Sequence, residues 1–407
     1  MNELLSYIDS RKKELIDFTR KLIETRTVNP PGNDYEKMVD LLEDRCNKIG
    51  LKTKRIFTPK KYLEKKGIME GSKRINLIAD WNTGAKKTFH IAGHYDVVPA
   101  TGNWRTDPFK AIVKDDFIYG RGSEDMKGTI AAMLLAVEAV KKGWIAPNVN
   151  IQMAFTPDEE IGGETGFGWL VKNGFIKADF AISEGHSDDY VSYGNKGILW
   201  IEIEVLGRSC HASRPSKGIN AFEKMIELVK ELEILKEDVE KRKTKYCSRD
   251  EQARCASLVM GGLLSGQSKI NVVPDKVIFS IDRRILPEEG VKQVKDEILS
   301  LIRKVRRRDK DFRAKVRIRS EHPPVIVKDG GEIDRAIGHA IKTVTGRHAR
   351  HALLAGGTDM RYLITRGIPA VGYSAQGGGM WHSDNEYVSI KSMLDTSKVY
   401  ALTIINL

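Results

Sequence analysis

Between Ile75 and Ser183 the chain alternates short apolar runs with helical spacing, and at Gly197 that pattern stops. The runs Ile75 to Ala79, Phe89 to Gly93, Val149 to Phe155 and Phe180 to Ser183 read as strands. Between the second and third, Ile130, Met133, Leu134 and Val137 recur at i, i+3, i+4 and i+7, the spacing of one helix face. Strands interleaved with helices imply an α/β fold: a mainly parallel sheet with helices on both faces.

After Gly197, Leu199, Ile201, Ile203 and Val205 alternate with polar residues, as in an antiparallel sheet with one solvated face. A helix over Ala221 to Leu235 follows, then strands over Ala256 to Leu264 and Val277 to Ile281, a helix over Val291 to Val305 and a strand over Ala314 to Ile318. The order β-α-β-β-α-β is ferredoxin-like. From Asp334 the first pattern resumes, with a strand at Ile368 to Gly372 and a last helix near Ile390 to Leu402. A chain of 407 residues exceeds what one core usually holds. The expected organisation is an α/β domain in two segments, 1–196 and 320–407, interrupted by an α+β insertion over 197–319. Helices over Asn2 to Thr25 and Tyr35 to Ile49 precede the first strand, parted by Val28-Asn29-Pro30-Pro31-Gly32.

No apolar run approaches the roughly 20 residues of a bilayer span, so no membrane association is expected. The first residues lack a basic leader and apolar stretch, which makes the cytoplasm the expected address. Cys46, Cys210, Cys247 and Cys255 show no paired spacing and read as free thiols. The net charge of +12 is concentrated in residues 303–319, which hold ten basic and two acidic side chains. This reads as a solvated helix end and strand edge, not as a nucleic-acid site.

Five motifs carry candidate chemistry. Gly93-His94-Tyr95-Asp96 follows a predicted strand, where open α/β sheets place their ligands. His94 and Asp96 are two residues apart and share a side in extended chain, so the carboxylate can support a metal-binding imidazole. Asp125, in Gly120-Arg121-Gly122-Ser123-Glu124-Asp125-Met126-Lys127-Gly128, precedes the Ile130 helix, and its ordinary alternative is a helix N-cap. Glu159 and Glu160, in Thr156-Pro157-Asp158-Glu159-Glu160, cannot face the same way in regular structure. One can bind a metal while the other activates water. Glu184 ends another strand, and His382 sits in Met380-Trp381-His382-Ser383-Asp384-Asn385-Glu386 after a glycine run. Without cations, so many carboxylates in one place would repel and protonate. The mixed imidazole and carboxylate set suits Zn²⁺ and admits Co²⁺ or Mn²⁺.

Taken in order, GHYDVVP, GRGSEDMKG, PDEEIGG, SEG, GRSCHAS, INVVPD, DRR, GGTDMRY and WHSDNE resemble the dinuclear-zinc deacylases and exopeptidases, over nearly the whole chain. That family includes acetylornithine deacetylase, succinyl-diaminopimelate desuccinylase, aminoacylases and glutamate carboxypeptidases. The resemblance implies a zinc exopeptidase-like catalytic domain with two Zn²⁺ per subunit. Asp125 would bridge the ions, Glu160 and His382 would complete one site, and His94 and Glu184 the other. Asp96 would orient His94, and Glu159 would be the general base.

The insertion would be a lid and dimerisation domain. In it His211 would reach across a homodimer to the oxyanion, Asn271 would contact substrate and Arg283 would bind its carboxylate. Gly357 and Thr358 would line the pocket opposite. The family usually has Gly or Ala where Cys210 precedes His211, and Cys210 reads as a packed thiol. For Arg283 the alternative is a strand-surface salt bridge. His90, His186, His322, His339, His348 and His351 receive no role and read as surface or packing positions. The implied activity is cleavage of the amide of an N-acylated amino acid, in the service of amino-acid biosynthesis. Glu184, where family exopeptidases often carry Asp, favours deacylase over carboxypeptidase or dipeptidase. A binding homologue that lost catalysis finds no support, because every inferred ligand is present.

Overall fold

The helix Gly128–Gly143 is buried from Gly128 through Val140, and the sequence shows why: apart from Glu138, which pairs with Arg45, GTIAAMLLAVEAV is apolar or small on every side. The computed structural model describes residues 1–68, 73–143, 146–266, 269–328, 330–378 and 381–407; Met380, which opens the fifth motif, lies outside them. The described chain groups into two units. The first comprises Met1–Gly194, Val327–Ala352 and Thr358–Leu407; the second comprises Asn195–Ile326 with Leu353–Gly357.

The first unit carries a mixed sheet. Its strands are β1 (Lys52–Phe57), β2 (Ile75–Trp81), β3 (Lys87–His94), β4 (Val149–Thr156), β5 (Phe180–His186), β6 (Tyr190–Asn195) and, from the C-terminal segment, β11 (Ala370–Tyr373). They lie in the order β1-β2-β4-β3-β5-β11-β6. The centre is parallel, through β4 with β3, β3 with β5 and β5 with β11. Toward the edges β1 with β2, β2 with β4 and β11 with β6 are antiparallel. The C-terminal segment therefore supplies a strand to the interior of the sheet, and its helix Ile390–Asn406 packs on Gly128–Gly143.

One expected helix is two. Asn2–Ser10 and Lys12–Glu24 break at Arg11, where the Ser10 hydroxyl takes the Tyr7 carbonyl and the Arg11 N–H closes on Ile8 three residues back. Tyr35–Ile49 is helical over the expected span.

The second unit holds β7 (Gly197–Leu206), β8 (Ser257–Ser265), β9 (Lys276–Ile285) and β10 (Arg313–His322) in the order β8-β9-β7-β10, every pair antiparallel. With helices Ala221–Lys241 and Val291–Arg308 this is the β-α-β-β-α-β order, and a separate core forms on one sheet face around Leu199, Ile201, Ile203, Phe279 and Ile281. Half of the basic run 303–319 meets acidic neighbours: Lys304 and Arg308 flank Glu231, Lys315 meets Glu204, and Arg317 and Arg319 share Glu202. Among the described residues no helix is long and apolar enough to cross a membrane.

His90, on central β3, is fully buried against Phe167. Burial pushes its pKa down to about 3. The unfolded chain takes up this proton near pH 6.5 while the fold refuses it, so acid favours unfolding from about pH 6.5 downward. At pH 5 the expected loss from this one residue is roughly 2 kcal/mol. Urea unfolding of wild type and His90→Leu at pH 7.5 and 5 should show the variant losing less stability by about that amount. Equal losses would contradict it.

Candidate active site

Three strand ends, those of β3, β4 and β5, and two loops of the first unit bring the carboxylates and imidazoles together. His94 closes β3 and is 1% exposed at its side chain. Its Nδ1 lies 3.2 Å from the Asp96 carbonyl oxygen and 3.5 Å from the Asp96 carboxylate. Both are acceptors, so Nδ1 carries a proton in either charge state of the ring, which leaves Nε2 as the atom that a cation would take. That Nε2 faces Asp125 at 3.0 Å and Glu184 at 3.1 Å. On the other side of Asp125, His382 Nε2 lies 3.4 Å from Asp125 Oδ2 and 2.9 Å from Glu160. Asp125 is thus shared by two imidazoles, each with a second carboxylate beyond it.

Local backbone explains these placements. Asp125 is not an N-cap: the helix starts at Gly128, and Asp125 is extended at φ −120° and ψ 93°. Gly122, at φ 78°, makes the turn before it, and a Cβ there would meet Val97 Cγ1 at 2.4 Å. Past β4, Asp158 takes a left-handed φ of 69° and the chain folds into a short turn over Glu159–Ile161. The Glu159 and Glu160 amides donate to the two Asp96 carboxylate oxygens at 3.2 and 3.3 Å. Asp96 therefore holds both His94 and the Glu159-Glu160 turn.

Crowding sets the electrostatics. Burial works against a charged His94, but bonds to Asp125, Asp96 and Glu184 outweigh it and hold the imidazole well above its ordinary value. Asp125 and then Glu160 raise His382 to about 10. Burial, followed by neighbouring Asp125, lifts Glu160 to about 7 despite its bond to His382. Burial and then Glu184 push Glu159 well above the carboxylate range. Ligand atoms of His94, Asp125 and Glu160 lie within 4.8 Å of one another. A compact set of oxygen and imidazole donors, in which crowding raises the proton affinity of His94, His382, Glu159 and Glu160, fits divalent cations.

Three residues beside these were left unassigned by sequence reasoning although the quoted motifs contain them. The buried Arg361 guanidinium donates to the Thr358 and Gly162 carbonyls and lies 3.8 Å from Glu159. The Asp359 amide donates to Glu184 at 3.1 Å. Asp359 itself is raised to about 7, by burial first, with Arg361 opposing and Glu184 adding. Its carboxylate packs against Gly163, where a Cβ would sit 2.2 Å from Asp359 Oδ1. Glu386 accepts from the loop that carries Asp125. Thr358 is buried beside this group, and among the described residues its hydroxyl has no partner.

The second unit holds His211, Asn271, Arg283 and Gly357. Cys210–His211 pairs with Val272–Val273, which brings His211 beside Asn271, and the Asn271 carbonyl accepts from Ala212. His211 is exposed, and the Ser213 backbone N–H donates to its Nδ1 at 3.2 Å. An N–H only donates, so the His211 proton sits on Nε2, opposite to His94. The Cys210 thiol donates to the Arg214 carbonyl.

Arg283 departs from both expectations. Alternation along β9 turns it to the buried face, where it is 1% exposed and paired with Glu289 at 2.5 Å. It is neither a surface salt bridge nor, so held, open to a substrate carboxylate. Arg284 falls on the opposite face, partly exposed and paired with Asp282.

A family model described as Peptidase family M20/M25/M40 matches residues 90–406. An uncharacterised metallohydrolase of Methanocaldococcus jannaschii is 28% identical, covering 95% of this chain and 98% of its own length. Succinyl-diaminopimelate desuccinylase of a Nitratiruptor species is 25% identical over 92% of this chain and 95% of its own. The crystal structure of human carnosine dipeptidase 1 superposes with a TM-score of 0.80 at 18% identity, covering 100% of this chain and 98% of that one, a likeness of fold. With its acid-and-imidazole centre at the strand ends of such a fold, the chain belongs to Peptidase family M20/M25/M40, the metal-dependent hydrolases of amide bonds.

Proposed function

We propose that this protein is a cytoplasmic, homodimeric deacylase that cleaves the amide of N-acylated amino acids, with two Zn²⁺ per subunit. The observation that carries this reading is Asp125 between two imidazoles, each backed by a further carboxylate. Asp125 would bridge the ions, with His94 and Glu184 on one and His382 and Glu160 on the other. Bound there, the ions would supply a Lewis acid for the scissile carbonyl and an acidified water.

The remaining steps belong to the side chains. Glu159, beside the ligands without being one of them, takes the proton of the attacking water and delivers it to the leaving amine. Its high proton affinity suits the second transfer, and the Arg361 guanidinium suits it to hold negative charge before the first. His211, contributed by the second copy, presents Nε2–H to the oxyanion, which is the proton position that Ser213 enforces. Asn271 contacts substrate, and Gly357 and Thr358 line its pocket. On β9 the substrate carboxylate falls to Arg284 in place of Arg283, because Arg284 is on the open face. Dimerisation through the second unit is supported by edge strand β8, where Val259, Leu263 and Leu264 are 54%, 47% and 63% exposed.

The test is a panel of N-acetyl amino acids, N-succinyl amino acids and peptides, assayed with Zn²⁺ or Co²⁺ and after chelation. Acyl amino acids should be cleaved fastest, with activity lost on chelation and restored by metal. Preferential cleavage of peptides would replace the reading with a carboxypeptidase or dipeptidase. Activity that survives complete metal removal would overturn it.

A further inference from the structure

Glu386 is 1% exposed and surrounded by donors. Its Oε1 accepts from the backbone N–H groups of Glu124 at 2.9 Å and Asp125 at 3.2 Å. Its Oε2 accepts from the Gly122 N–H at 3.0 Å and from Arg121 Nη1 at 2.7 Å. The other arm of Arg121 donates to the His382 carbonyl at 3.4 Å. In the reverse direction, Glu124 accepts from the Gly377 N–H at 2.8 Å. Gly377, His382 and Glu386 are thus bonded from both sides to the stretch 121–125, far away in sequence.

We infer that Glu386 is a positioning residue for the cation centre. By clasping the amides of 122–125 from the loop that carries His382, it sets the Asp125 carboxylate at the distance from His382 that two ions require. The inference rests on the metal reading of the site. Among the described residues no group accepts a hydrogen bond from Glu386, and both carboxylate oxygens are committed to donors. The neutral isostere cannot replace it: in Glu386→Gln an NH₂ would face backbone N–H groups or a guanidinium, donor against donor in a buried place. The only relief is movement of the loop, and Asp125 moves with it.

The experiment uses the full-length protein stripped by chelation and titrated calorimetrically with Zn²⁺ and with Co²⁺, with the visible Co²⁺ spectrum and thermal unfolding of the apo forms recorded in parallel. Glu386→Gln should weaken cation binding by roughly 10- to 100-fold, the usual effect of removing a partner of a ligand, and alter the Co²⁺ bands. A folded Glu386→Gln protein with wild-type affinity and bands would overturn the inference, whatever its apo melting temperature. Should that variant fail to fold, Arg121→Lys keeps the charge but cannot hold Glu386 and the His382 carbonyl at once. Weaker binding is then expected, and wild-type binding overturns the inference. A wild-type protein that binds neither ion would instead refute the metal reading itself.

Discussion

Glu159→Gln should lower kcat by about 10²- to 10⁴-fold, the range that one positioned acid–base group supplies, while the protein keeps its full complement of metal. The amide is isosteric, and the two imidazoles meet Asp125, Glu184 and Glu160, so the proposed ligand set of His94, Asp125, Glu160, Glu184 and His382 should be undisturbed. Metal content by elemental analysis and kcat on the best acyl substrate separate the two quantities. Loss of metal in parallel with activity would make Glu159 a ligand. Unchanged kcat would remove it from the chemistry, and the proton would need another carrier. Asp359, raised to about 7 within the same group of carboxylates, would then be the next to replace.

The largest effect on stability is expected beneath the site. Arg74 and Asp158 form an ion pair at 2.9 Å with side chains 2% and 0% exposed. Asp158 also accepts from Asn29 at 2.9 Å, Tyr35 at 3.1 Å and Thr165 at 2.5 Å. Removing the guanidinium leaves a buried carboxylate without countercharge, so Arg74→Ala should cost about 3–5 kcal/mol. Denaturant unfolding measures it directly, and a loss under about 1 kcal/mol would mean that water or a proton compensates Asp158. The damage should also reach activity. Asn29 donates at 2.9 Å to both Asp96 and Asp158, and Asp158 begins the turn carrying Glu159 and Glu160.

How far the sequence anticipated this depends on what each residue does. Tyr35–Ile49 was legible because Tyr35, Met38, Val39, Leu42, Cys46 and Ile49 make one buried stripe. The cluster of His94, Asp125, Glu160, Glu184 and His382 was legible because metal chemistry demands particular side chains at the ends of strands that announce themselves by apolar runs. Strand β1 was not, since in KTKRIF only Ile56 is buried and no apolar period develops. Strand β6, YVSYGN, is buried mainly through small or polar residues and has no apolar run to find. Arg283 and Arg284 were indistinguishable as a pair of letters. Only the register of β9, which puts Ile281, Arg283 and Ile285 on one face, separates them.

The supporting residues Asp158, Asp359, Arg361 and Glu386 stood inside quoted motifs without a role. Their partners are backbone amides, carbonyls and buried charges far away in sequence, which no local pattern encodes. The usable hint was their company: each lies within four residues of a ligand, a general base or a pocket residue, in a segment where a buried charge needs a reason.

The proposed ligands of this centre lie on both sides of the second unit in sequence: His94, Asp125, Glu160 and Glu184 precede it and His382 follows it. A chain emerging from the ribosome therefore holds most of its donors long before it can close the set. Until β11 enters the sheet and His382 arrives beside Glu160, the nascent first segment offers an open cluster of acids with one buried imidazole. On the two-cation reading, full loading would be a late event in biogenesis, and occupancy would report that the two ends of the polypeptide have found each other.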